Sequence, residues 1–132
     1  MDIVVDTSVI IAVIADEPEK EALVRLTTGA DLIAPDSVHW EVGNALSAML
    51  RRRRASLAPV LKAVEIYGKI PIRFVNVELD ESLKIAHAMG IYAYDAYFIR
   101  CALKYASPLI SLDHNLLQCA KQMKVQVVEV NG

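Results

Sequence analysis

Short apolar runs alternate with stretches of helical periodicity from one end of the chain to the other. Ile3-Val4-Val5 reads as a buried strand, and Thr7 or Ser8 is placed to cap a helix over residues 9–14. Pro18 suits the first turn of a second helix, which carries Ala22, Leu23 and Leu26 and stops at Gly29. Leu32-Ile33-Ala34 is a second strand closed by Pro35. Asp36 or Ser37 then opens a long helix with Val38, Val42, Ala45, Leu46, Met49 and Leu50 on one stripe. A fourth helix starts at Ser56 and Pro59 and ends at Gly68, and residues 72–75 form a third strand. Asp80 opens a helix stopped by Gly90, and Asp95 begins another through Leu103. Residues 109–112 are a strand, 115–123 a helix and 125–130 a short last strand. Strands separated by helices predict a parallel sheet with helices on both faces, because right-handed crossovers place them there.

The composition agrees with that architecture. The chain has 132 residues, 55% of them apolar and 23% charged, which suits parallel strands buried on both faces and excludes a disordered chain. Without repeat or linker, residues 1–132 read as a single domain. No apolar run approaches the roughly 20 residues that cross a bilayer. Asp2 stands where a signal peptide would carry basic residues. Cys101 and Cys119 lack metal-site spacing and fall in helical patterns, so they read as small apolar residues in a reducing compartment. The expectation is a soluble, cytoplasmic protein with no membrane partner.

Net charge is −2, but its distribution is uneven. Residues 51–73 hold seven bases, among them Arg51, Arg52, Arg53 and Arg54, against the single acid Glu65. That segment points to a polyanionic or acidic partner, or to a solvated helix end favoured by the dipole.

Four of the sixteen acids lie within apolar or aromatic surroundings. Asp6 and Asp113 end predicted strands, Glu41 lies about one turn into the long helix, and Asp95 sits among Tyr92, Tyr94, Tyr97 and Phe98. An ionised carboxylate in such a place costs several kcal/mol unless it is paired or metal-bound. Strand ends and the helix starts that follow them share one edge of a parallel sheet, where ligands bind. All four acids can therefore converge there, and a divalent cation would offset their repulsion; oxygen-only ligation suits Mg²⁺ or Mn²⁺. Helix capping explains Asp6, Asp95 and Asp113 individually, but not Glu41. Other chemistries lack their residues: the glycines form no phosphate-binding loop, no Gly-x-Ser-x-Gly elbow exists, and His39, His87 and His114 show no metal spacing.

Taken in order, Val4-Val5-Asp6-Thr7-Ser8-Val9-Ile10, Glu41-Val42-Gly43-Asn44-Ala45-Leu46, Tyr94-Asp95-Ala96-Tyr97 and Ile110-Ser111-Leu112-Asp113 resemble the PIN-domain ribonucleases, particularly VapC-type toxins. The family usually has Thr where Ser111 stands, a change that keeps the hydroxyl. The resemblance implies a three-layer α/β/α fold with a five-stranded parallel sheet. It also implies a magnesium-dependent endoribonuclease site built by Asp6, Glu41, Asp95 and Asp113, a homodimer, and inhibition by a cognate antitoxin. On this reading Asp6, Asp95 and Asp113 hold Mg²⁺ (or Mn²⁺), and Glu41 is a further ligand or orients water. Thr7, Ser8 and Ser111 support the carboxylates, Arg51 to Arg54 contact RNA phosphates, and the tyrosines near Asp95 pack or stack on bases. The alternatives are a housekeeping nuclease in RNA processing, a non-catalytic RNA- or protein-binding scaffold, and a DNA flap nuclease. The complete acid set opposes the scaffold, and a chain this short has little room for a flap nuclease's arch.

Overall fold

The computed structural model describes residues 1–130; Gly132, one of the five glycines, lies outside the described residues. Five strands form one sheet: β1 (Asp2–Val5), β2 (Asp31–Pro35), β3 (Ile72–Val75), β4 (Leu109–Ile110) and β5 (Val127–Val128). Their order is β3-β2-β1-β4-β5 and every pairing is parallel. Seven helices connect them: α1 (Thr7–Ile14), α2 (Lys20–Thr27), α3 (Ser37–Arg51), α4 (Leu57–Lys69), α5 (Leu79–Met89), α6 (Ala93–Lys104) and α7 (His114–Gln122). Right-handed crossovers send α1 to α4 to one face and α5 to α7 to the other. The packing agrees: α1 touches α2, α3 and α4, while α6 lies across β1, β2 and β4. This is a three-layer α/β/α sandwich.

The central strands are apolar on both faces because both faces are covered. Ile3, Val4, Val5, Ile33, Ala34, Leu109 and Ile110 are all buried, and Phe98 and Ile99 of α6 close over them. The chain runs outward from β1 through β2 to β3, then crosses back to β4 on the other side of β1. The order of strands therefore reverses between β1 and β4. Beyond the carboxyl ends of strands at such a point, neighbouring connections diverge and leave a crevice.

Local chemistry moves several predicted boundaries. Neither Thr7 nor Ser8 caps α1; Asp6 does, in extended conformation (φ −94°, ψ 176°), with its side chain accepting from the Val9 N–H. Pro18 lies in the turn before α2 rather than in its first turn. Gly68 does not stop α4, which continues to Lys69, whereas Gly90 ends α5 in the left-handed region (φ 65°). Asp95 lies in the first turn of α6, two residues after its start at Ala93. The last two strands are two residues each, shorter than their apolar runs, because β4 and β5 pair only at two positions.

Candidate active site

Asp6 is the first residue beyond β1, and Asp113 comes three residues after the end of β4. They flank the point where strand order reverses. Both cap the helix that follows: Asp113 Oδ1 accepts from the Asn115 and Leu116 N–H groups at 2.9 and 3.2 Å. Capping and clustering, opposed as explanations of the sequence, coexist here.

Asp6 is 4% exposed, and three hydrogen bonds make its burial tolerable. Its Oδ1 accepts from Ser8 Oγ at 2.7 Å and the Val9 N–H at 3.1 Å; its Oδ2 accepts from Ser111 Oγ at 2.6 Å. Ser111 Oγ in turn accepts the Asp113 N–H at 2.9 Å, and Ser8 Oγ accepts the Leu112 N–H at 3.0 Å. Two serine hydroxyls thus stitch the β1–α1 junction to the β4–α7 junction. Burial raises the Asp6 pKa, the bonds from Ser111, Ser8 and Val9 oppose it, and the Asp113 charge adds to it.

Glu41, one turn into α3, and Asp95, in the first turn of α6, complete the group. Burial and then the charges of Asp95 and Asp6 push the Glu41 carboxyl up to about 7, with nearby Thr7 opposing them. Asp95 is raised by burial and by Asp113. Asp113 therefore acts on both Asp6 and Asp95, and these two act on Glu41. Thr7 lies close enough to temper Glu41, yet among the described residues Thr7 Oγ1 and Glu41 Oε2 are both buried without a hydrogen-bond partner.

The structure brings the four acids into mutual electrostatic range, together with Thr7, Ser8 and Ser111. It does not bring three carboxylates within reach of one ion: among the described residues no three His, Cys, Asp or Glu side chains stand so. Both Asp6 oxygens are engaged by donors, and like charges keep their distance. The donor set is nevertheless all oxygen and carries partnerless oxygens at Glu41 and Thr7. That chemistry fits a hard divalent cation better than a softer metal.

Arg51 to Arg54 lie elsewhere. They close α3 and form the turn after it, all exposed, about 15 Å along the helix from Glu41. His114 opens α7 beside Asp113 and is exposed. The sequence assigned no role to Trp40 and carried Asn44 only as part of the segment that begins at Glu41. Both line a cleft of about 440 Å³ with Thr7, Glu41, Ala45 and Tyr94. The available signal was a tryptophan beside Glu41 but off the Val38, Val42, Leu46 stripe.

No curated protein matches the chain. Among solved structures, PAE2754 from Pyrobaculum aerophilum is similar with a TM-score of 0.73 at 22% identity, over 96% of this chain and 83% of that one. VapBC2 from Rickettsia felis, solved bound to a DNA fragment from its promoter, gives 0.71 at 11% identity, over 99% and 100%. VapC20 from Mycobacterium tuberculosis, described as a sarcin–ricin loop cleaving toxin, gives 0.64 at 17% identity, over 88% and 93%. At these identities the likeness is one of fold. The sequence pattern of the PIN domain matches residues 3–122, so the chain belongs to the PIN domain family.

Proposed function

We propose that this chain is a divalent-metal-dependent endoribonuclease and the toxin of a VapBC-type toxin–antitoxin pair. The observation that carries the nuclease reading is the set of four coupled carboxylates at the sheet's switch point in a PIN-family chain. Asp6, Asp95 and Asp113 would hold Mg²⁺ or Mn²⁺ directly or through bound water, which spans the distance that keeps three carboxylates from one ion. When bound, such an ion supplies an acidified water and offsets negative charge at phosphorus. Ser8 and Ser111 fix the Asp6 carboxylate, and the α7 amides fix that of Asp113. Glu41, with a carboxyl at about 7, exchanges a proton near neutral pH, which suits a general base for an attacking water. The products would be a 5′-phosphate and a 3′-hydroxyl. Arg51 to Arg54 are too far from Glu41 to serve the scissile phosphate and would contact phosphates farther along the RNA.

The toxin reading draws on the neighbours in fold: VapC20 is described as a cleaving toxin, and VapBC2 and FitAcB from Neisseria gonorrhoeae are also among them. Exposed apolar side chains supply surface for an antitoxin and a second copy. Leu57, Leu61 and Val64 repeat along one face of α4, and Val24 and Leu26 stand out from α2. No helix among the described residues is long and apolar enough to cross a membrane; residence in the cytoplasm goes with the toxin reading.

The test is induced expression followed by mapping of transcript ends. Growth arrest with new 5′ ends, relieved by the partner protein and absent in Asp6→Asn, is the expected result. Harmless expression of an RNA-cleaving protein would favour a housekeeping nuclease. Undiminished cutting in EDTA would remove the metal from the mechanism.

A further inference from the structure

Trp40 is 74% exposed and Tyr94 is 57% exposed, although aromatic surface of that size is ordinarily covered. Both line the cleft whose other walls are Thr7, Glu41, Asn44 and Ala45. Each ring has an aromatic neighbour. Trp40 meets His39 edge-on (4.8 Å, 78°), and Tyr94 meets Tyr97 the same way (6.2 Å, 87°). The cleft therefore combines two aromatic walls with the exposed amide of Asn44, while Thr7 Oγ1 and Glu41 Oε2 are themselves buried from it.

Resting on the nuclease reading, we propose that this cleft binds one unpaired RNA base beside the scissile phosphate, stacked on Trp40 and held by its hydrogen-bonding edge. A phosphate is the wrong occupant, because the wall carries the Glu41 carboxyl and no base. An apolar peptide side chain is also wrong, since it would cover the Asn44 amide without pairing it. A nucleobase has both a π-face and an edge of donors, and stacking on aromatic side chains is how unpaired bases are read. The exposed Asn44 amide both donates and accepts, so it can pair with the edge of any base.

Trp40 is the chain's single tryptophan, so its emission reports the contact directly. Asp95→Asn is the host for binding: it removes one carboxylate that takes no part in capping and lets RNA bind without being cut. In Mg²⁺, unstructured A, C and U hexamers should all quench Trp40 emission saturably. An abasic ribose-phosphate hexamer should leave it unchanged. With labelled hexamers, Trp40→Ala in that host should weaken binding roughly 5- to 140-fold, the equivalent of the ~1–3 kcal/mol of base–aromatic stacking. Trp40→Phe should restore most of it, and the abasic hexamer should not distinguish the variants. Melting curves show whether Trp40→Ala is folded, as its exposure predicts. Emission unmoved by hexamers that bind by anisotropy would overturn the base site, and so would equal losses on abasic RNA. If the parent cuts RNA and Trp40→Ala cuts it equally well, the base site falls and the nuclease stands. If the parent neither binds nor cuts RNA, both fall.

Discussion

Ser111 shows how much of this site depends on one hydroxyl. It donates to Asp6 Oδ2 and accepts from the Asp113 N–H, so its loss strands a buried acceptor and a backbone donor together. Ser111→Ala should cost about 1–3 kcal/mol in urea unfolding, and Ser111→Thr should recover part of that through its hydroxyl. Glu41 supplies a pH signature. Its carboxyl rises from 4.5 in the unfolded chain to about 7 in the fold, so the folded state binds the proton more tightly. Stability of the metal-free protein should therefore fall as pH rises from about 4.5 through about 7. Glu41→Gln should flatten that slope and stabilise the protein at pH 8 by roughly 1 kcal/mol, a figure reduced because the carboxyl is partly open to water. Thermal melts across pH 5–8 in EDTA check both, and a parent that grows more stable toward pH 8 contradicts the assignment. The four acids were legible in the sequence because ionised groups beside apolar runs need an explanation. The Ser111–Asp6 bond was not, since it joins residues 105 positions apart. Trp40 was missed for a different reason: off the buried stripe of α3, it looks like any surface residue until the fold puts Glu41 and Tyr94 beside it.

Among the elements, those buried on both sides were the easiest to read. Continuous apolar runs at β1 and β2 leave no solvent face to argue about, and their strands fall where expected. Helix ends were harder, because a cap depends on which polar residue takes up extended backbone, and Thr7, Ser8 and Asp6 all qualify by type. Glycines show the same ambiguity. Gly90 adopts φ 65° at the end of α5, whereas Gly43 lies inside α3 with open space where a Cβ would stand. Gly90→Ala should therefore destabilise by about 1 kcal/mol and Gly43→Ala should stabilise by about 0.5–1 kcal/mol, a difference of sign that paired melts would reveal. The α5–α6 pair carries its own acid sensitivity. Glu78, the residue just before α5, accepts from Arg100 Nε at 3.0 Å and faces Lys104 Nζ at 3.4 Å, both on α6. The Arg100 bond, more than the two charges, lowers its pKa from 4.5 to about 2. A depressed carboxylate contributes stability above its unfolded pKa and loses it as pH falls through the folded one. Between pH 4.5 and about 2, Glu78→Gln should lose stability less steeply than the parent, and identical acid limbs would rule the clamp out.

At the scale of the whole molecule, the site is where four separate parts of the chain meet. Asp6 follows β1, Glu41 belongs to α3, Asp95 to α6 and Asp113 to the segment after β4. No unfolded chain holds these carboxylates together, so an ion that binds all of them binds only the folded state. Mg²⁺ should then raise the stability of the parent by mass action, about 2.7 kcal/mol at a hundred times its dissociation constant. Without metal the same convergence is a liability, because mutual repulsion opposes closure of the sheet edge. Asp113→Asn keeps the shape and the capping oxygen while removing one charge. In EDTA it should match or exceed the parent's stability, and Mg²⁺ should help it much less. Screening alone imitates part of this, since at 0.1 M salt the Debye length is about 10 Å and exposed charges already repel less. The control is therefore NaCl at matched ionic strength. A specific site predicts that Mg²⁺ stabilises the parent well beyond NaCl and that the excess nearly disappears in Asp113→Asn. If the two salts act alike on both proteins, the carboxylates share a field without sharing an ion, and the metal assignment to Asp6, Asp95 and Asp113 fails.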